Sequence, residues 1–184
     1  AIREAAHQPM IVNDAGELAK VLSVCWLKPG EGEALKQQPF PLSLPFSQTY
    51  PLCCMDIRSL VEQYYNFSVG FSQYHRDIDS ILTQSLDELL VQQISINIRS
   101  TVEQSSNLSQ IAQIIVNIEH FQLACSELEK WLGRARGPNR GGRLVLDASQ
   151  HLAGTLEIAQ KRIDRALFVK LDQFLDLQIG RASC

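Results

Sequence analysis

The chain has 184 residues, 45% of them hydrophobic, and a formal net charge of −3. That length buries a real core in one or at most two domains, and that charge offers no global basic field for nucleic acid. No run reaches the roughly 18 continuous apolar residues of a membrane span, and the first residues do not form a secretory signal.

The chain opens on Ala1 rather than Met, which sets the expectation of a fragment. Residues 1–13 carry little pattern. Asn13-Asp14 then marks a helix start, followed by Leu18, Val21, Leu22, Cys25 and Trp26 at helical spacing and stopped by Lys28-Pro29-Gly30. Glu31 to Pro45 reads as an ordered surface loop. Its prolines 39, 41 and 45 break helices, while Phe40, Leu42, Leu44 and Phe46 would hold it against the body. Ser47 is the expected cap of the next helix, whose seam is Tyr50, Cys53, Ile57, Leu60, Tyr64 and Phe67, with Gly70 at its end.

Asp77 is the expected cap of a helix running to about Gln104. Its apolar set, Ile78, Leu82, Leu86, Leu90, Ile94, Ile98 and Val102, steps strictly by four. Such a step overshoots a full turn by roughly 40°, so the buried face should migrate and meet different neighbours. The segment from Asn107 to Gly133 organises the whole. Leu108, Ile111, Ile115, Ile118, Phe121, Cys125, Leu128 and Leu132 share one side of a helix, and Gln110, Gln113, Asn117, His120 and Glu127 line another. Asn107 and Gln110 fit a capping box at its start, and Gly133 fits the left-handed residue that closes a helix. A last helix begins between Leu144 and Asp147, with Asp147 and Gln150 as a second capping box. Its expected buried stripe is Leu152, Leu156, Ala159, Ile163, Leu167, Leu171 and Phe174, followed by a frayed tail from Gly180. No β-alternation of useful length stands out. The expected fold is all-α, an antiparallel bundle or rod of about five helices. Residues 1–46 give a short helix and a Pro-rich loop, 47–132 the bundle core, 133–143 a flexible basic loop, and 144–179 a long helix beginning a further helical subdomain.

Chemistry-bearing patterns are sparse. The cysteines, Cys25, Cys53, Cys54, Cys125 and Cys184, are odd in number and lack CxxC or zinc spacing. They read as thiols of a reduced, cytosolic protein, with Cys53 and Cys125 on apolar stripes. Asn66-Phe67-Ser68 and Asn107-Leu108-Ser109 match the glycosylation pattern, which matters only in a secretory context. Gly137 to Leu144 has the glycine spacing of a phosphate loop, but Arg143 replaces the lysine and Leu144 the magnesium-binding hydroxyl. Its arginines, Arg134, Arg136, Arg140 and Arg143, are instead the candidate partner-binding residues, towards acidic protein or anionic lipid. Leu86 to Leu90 fits an LxxLL motif, expected to pack in the core. Asp77 with Asp79, and Asp87 with Glu88, lack a histidine or metal partner, and His7, His75, His120 and His151 are scattered. Tyr64 belongs to the seam, and Tyr65 is a candidate interface residue. No catalytic, cofactor or metal residue is assigned, and the expectation is a protein that is not an enzyme.

Three stretches carry a family resemblance: Leu44 to Ser68 (LPFSQTYPLCCMDIRSLVEQYYNFS), Ser85 to Leu90 (SLDELL), and Leu108-Ser-Gln-Ile through Ala124-Cys-Ser-Glu-Leu-Glu129. Together they resemble the Sec-fifteen family, the exocyst subunit that is the effector of the exocytic Rab GTPase, in its fungal form. The resemblance runs from about Pro9 to Leu177 and places the chain in the carboxyl-terminal half. It implies stacked helical bundles of vesicle-tethering type. It also implies a role in holding secretory vesicles at the plasma membrane before fusion, in the cytoplasm and at sites of exocytosis. The implied partners are other exocyst subunits, a GTP-loaded Rab contacted beyond this chain, and a membrane reached through the complex. After Leu177 the family pattern is not followed, and the arginine-rich loop matches no family feature. The alternative is a helical protein-interaction adaptor outside secretion.

Overall fold

The computed structural model describes residues 7–69, 75–136 and 145–182. Its helices are α1 (Ala15–Val24), α2 (Glu31–Lys36), α3 (Thr49–Val69), α4 (His75–Glu88), α5 (Ile96–Gln104), α6 (Leu108–Arg136) and α7 (Asp147–Ala182). The bundle is helical as expected, with two additions, because the stretch from Glu31 to Pro45 is not a plain loop: it opens with α2 and ends in a strand. Strands β1 (Pro9–Val12) and β2 (Leu42–Ser47) pair antiparallel, Val12 opposite Leu42 and Ile11 opposite Ser43. Leu42, Leu44 and Phe46 are buried and Ser43 is exposed, the period of two of a half-buried strand. Pro39, Pro41 and Pro45 mask that period in the sequence. The register shifts between Pro9 and Ile11, and Pro45, which has no N–H for a ladder, lies in the irregular length.

Several expected ends move. Asp14 does cap α1: it accepts from the Glu17 N–H at 2.8 Å, and the Glu17 carboxylate accepts from the Asn13 N–H at 2.7 Å. Gly30 turns the chain into α2 at φ 79°, a conformation that strains any side chain. Ser47 is no helix cap but the buried last residue of β2, and α3 starts at Thr49. Gly70 lies outside the described residues. α4 starts at His75, so Asp77 sits within it. Asn107 accepts from the N–H groups of Ser109 and Gln110 at 3.0 and 3.3 Å. Its own N–H donates to Ser105 Oγ, which donates to Gln110 Oε1, so the reciprocal half of the capping box runs through Ser105. Gly133 does not close α6, because the helix continues to Arg136 and only Gly30 among the described glycines has positive φ. Nor does Gly180 fray α7, which runs to Ala182.

The step-of-four stripe is buried from Leu82 to Val102, and it migrates round the helix less than regular α geometry would carry it. The reason is a π-helical turn, Leu89–Ser95, inserted between α4 and α5. Its i→i+5 bonding winds more residues into each revolution, which gives back the angular drift that a step of four accumulates in α geometry. The rod still meets different neighbours along its length, α3 early and α7 late.

Pairwise contacts set the directions. Leu146 N–H reaches Glu129, and Arg162 reaches the Ser105 carbonyl beside the start of α6, so α7 runs antiparallel to α6. Asp87 meets Ala148 and Ser95 meets Thr155, so α7 runs parallel to the α4–α5 rod. The expected Asp147–Gln150 box is replaced at the start of α7 by carboxylates from other helices. Asp87 accepts from the Ala148 N–H at 2.9 Å, and Glu129 accepts from the Leu146 N–H and the Ser149 hydroxyl. Acids suit that end of a helix.

Candidate functional site

The polar side of α6 is an internal seam. Gln113, Asn117 and His120 are all buried, with β2 laid across them. Asn117 Oδ1 accepts from the Ser47 N–H at 3.0 Å, and its Nδ2 donates to Ser47 Oγ at 2.7 Å. Gln113 Nε2 donates to the Pro45 carbonyl at 2.9 Å. Amide side chains thereby take the role of a third strand for backbone groups that β1 leaves unpaired. The His120 ring packs edge-on to Phe46 and Tyr50. Its Nδ1 lies 2.8 Å from the Val116 carbonyl and its Nε2 2.9 Å from Glu31. Each ring nitrogen thus has an oxygen partner, one on its own helix and one from α2.

This seam positions the loop after α1. Glu31 also accepts from the Lys28 N–H, the Tyr50 hydroxyl donates to the Trp26 carbonyl at 2.7 Å, and Arg58 Nε donates to the Val24 carbonyl at 2.6 Å. Trp26 is thus fixed against α3, with the Arg58 guanidinium 4.0 Å from the centre of its ring. The result is an open groove of about 350 Å³ between α3 and α6. Val61 and Leu128 line it with Trp26, Tyr65 and Trp131, and its charged residues are Arg58, Glu62, Glu127 and Arg134. Both tryptophans of the chain are here.

The groove absorbs two candidates from the sequence. Tyr65 is 55% exposed and lines it. Arg134, from the last turns of α6, lines it too. Of the other arginines, the Arg136 side chain, Arg140 and Arg143 lie outside the described residues, as does the Gly137 to Leu144 stretch. Leu86 and Leu90 are fully buried, as core packing requires. Tyr64 is half-buried and bonds Ser85 across to α4. The sequence places Trp26 only on the first helical stripe and does not single out Trp131, because three distant segments build the groove; the rarity of tryptophan was the available signal.

A second surface is the far half of α7. Leu152, Thr155 and Ala159 are buried, but Leu167, Phe168, Leu171, Phe174, Leu175 and Leu177 are 48–69% exposed. The expected buried stripe therefore stops at Ile163, and Leu167, Leu171 and Phe174 are corrections to it. The cause is length. Arg162 lies opposite the turn between α5 and α6, so the described neighbours end there while α7 goes on for roughly 30 Å. No helix among the described residues is long and apolar enough to cross a membrane.

The thiols fit the packing role. Burial pushes Cys53 and Cys125 up to about 12. Cys54 is fully buried, whereas Cys53 is half-buried. Among the described residues no three His, Cys, Asp or Glu side chains gather as a metal site.

Residues 1–178 match the family described as exocyst complex subunit Sec15 C-terminal. The chain is 28% identical to exocyst complex component SEC15 of Saccharomyces cerevisiae over 174 residues, 91% of this chain and 19% of that protein. It is 25% identical to exocyst complex component 6B of Homo sapiens over 146 residues, 78% of this chain and 18% of that protein. With exocyst complex component SEC15B of Arabidopsis thaliana the identity is 32% over 92 residues, 47% of this chain and 11% of that protein. No solved structure matches. The chain spans about a fifth of the length of the first two relatives.

Proposed function

The chain belongs to the exocyst complex subunit Sec15 C-terminal family, and we propose that it is a non-catalytic segment of an exocyst tethering subunit, holding secretory vesicles at the plasma membrane before fusion. The far half of α7 carries this reading. Its apolar side chains spread over well more than one narrow stripe, so cover is needed on more than one side. Further helices of a longer subunit supply that cover, and α7 is the continuous strut that joins one helical bundle to the next. The mechanism is mechanical. Stiff helices fix the spacing between binding surfaces, and many modest contacts sum to avidity.

In this reading the partners are other exocyst subunits, the Rab GTPase is bound by parts of the subunit beyond this chain, and the protein is cytoplasmic, recruited to vesicles and exocytic sites through its complex. The test is co-purification. The full-length subunit, wild type or carrying Leu171→Asp with Phe174→Asp, is expressed and its exocyst partners are quantified. The double variant is expected to lose most of them while Leu108–Arg136 stays protected in hydrogen exchange. Unchanged recovery of every partner would count against the strut.

A further inference from the structure

We propose that the groove between α3 and α6 is a docking site for an acidic amphipathic helix of another protein. This goes beyond the tethering reading and does not depend on it. Composition points to a protein partner. Tryptophan, tyrosine and arginine are the side chains that dominate binding energy at interfaces, and here both tryptophans, Tyr65, Arg58 and Arg134 line one concavity. Leu128 is buried and Val61 half-buried beneath them, an apolar floor between two helices. That is the form in which a third helix lays down a row of large side chains at i, i+3 or i+4, and i+7. Trp26 is held rigidly, by Tyr50 through its carbonyl and by the stacked Arg58, so binding loses little side-chain freedom there.

Charge selects among helices. Arg58 and Arg134 are exposed at the groove, and Lys130 lies beside it, 2.8 Å from Glu127. That pairing neutralises Glu127 and leaves two arginines against Glu62, a local positive surplus on a chain whose net charge is −3. A flat anionic membrane fits less well, because the aromatic and apolar side chains line a concavity between two helices and not a projecting face. Acidic residues flanking an apolar stripe satisfy both the arginines and the floor.

The 184-residue chain is screened against a display library of helix-forming peptides of about 16 residues, random in charge and in apolar spacing. The expected winners are acidic, with large apolar residues at helical spacing. The best winner, chosen to lack tryptophan, is then titrated while the protein's tryptophan emission is followed, since both tryptophans report this groove. Arg134→Glu and, separately, Tyr65→Ala are expected to weaken binding about tenfold or more. Both side chains are exposed, so folding is retained and is verified by unchanged melting; Trp131→Ala serves as a third variant if it melts normally. Phosphatidylserine vesicles are run in parallel and are expected to leave the tryptophan emission unchanged. The proposal is overturned by basic or charge-indifferent winners, by no enrichment, by winners whose affinity ignores both Arg134→Glu and Tyr65→Ala, or by a tryptophan shift with vesicles and none with peptide.

Discussion

Two helices of this molecule reverse the usual rule in opposite senses. On α6 a polar row, Gln113, Asn117 and His120, is buried. On α7 an apolar row, Leu167, Leu171 and Phe174, is more than half exposed. The same periodicity argument reads both rows in sequence, and it reports only which residues share a face. Whether that face is covered depends on what lies beside it. For α6 the neighbour is an irregular strand with backbone groups to satisfy; for α7 beyond Ile163 the described neighbours have ended.

The contrast can be broken or sharpened by substitution. The largest effects are expected at the seam and in the near half of α7. Asn117→Leu strands the Ser47 backbone N–H in the interior and should cost on the order of 3 kcal/mol. Urea denaturation should show a lower midpoint with an unchanged slope; an unshifted midpoint would mean that β2 is held by its apolar residues alone. Within α7, Leu152→Ala should cost about 2–4 kcal/mol by opening a cavity, whereas Leu171→Ala should stay within about 0.5 kcal/mol of wild type. Equal costs would show that the far half is covered after all. Next come the borrowed caps. Asp87→Ala should cost about 1 kcal/mol, read in the same denaturation series, with earlier hydrogen exchange in the first turn of α7. The smallest effect belongs to the exposed Glu157–Lys161 pair. Its carboxylate is held below the usual range by Lys161, yet Lys161→Ala should leave the thermal midpoint unmoved because solvent screens the pair.

Much of the helical layout was legible because the stripes are long. Leu82 to Val102 and Ile111 to Leu132 need no tertiary information to be read as helices, and α1 is announced by Asp14. The sheet was not legible, because prolines outweigh the short alternation of Leu42, Leu44 and Phe46, and four residues of β1 carry no pattern of their own. Caps were read as local when two of them are not: Asp87 and Glu129 reach α7 from other helices, a contact no spacing reveals. The groove was half legible. Tyr65 and Arg134 stood out as exposed types, but their meeting with Trp26 and Trp131 follows from how α1, α3 and α6 pack, which lies above the level at which residues can be read one by one.

The widened turn at Leu89–Ser95 holds one residue more than a regular α-helix needs over the same arc. Remove one residue there, and ordinary α geometry closes the gap. Fewer residues at about 100° each then cover nearly the same angle, so Ile98 and Val102 keep their face. A single codon lost in this stretch should therefore do less harm than one lost from the regular helix on either side, where everything downstream would swivel by about 100°.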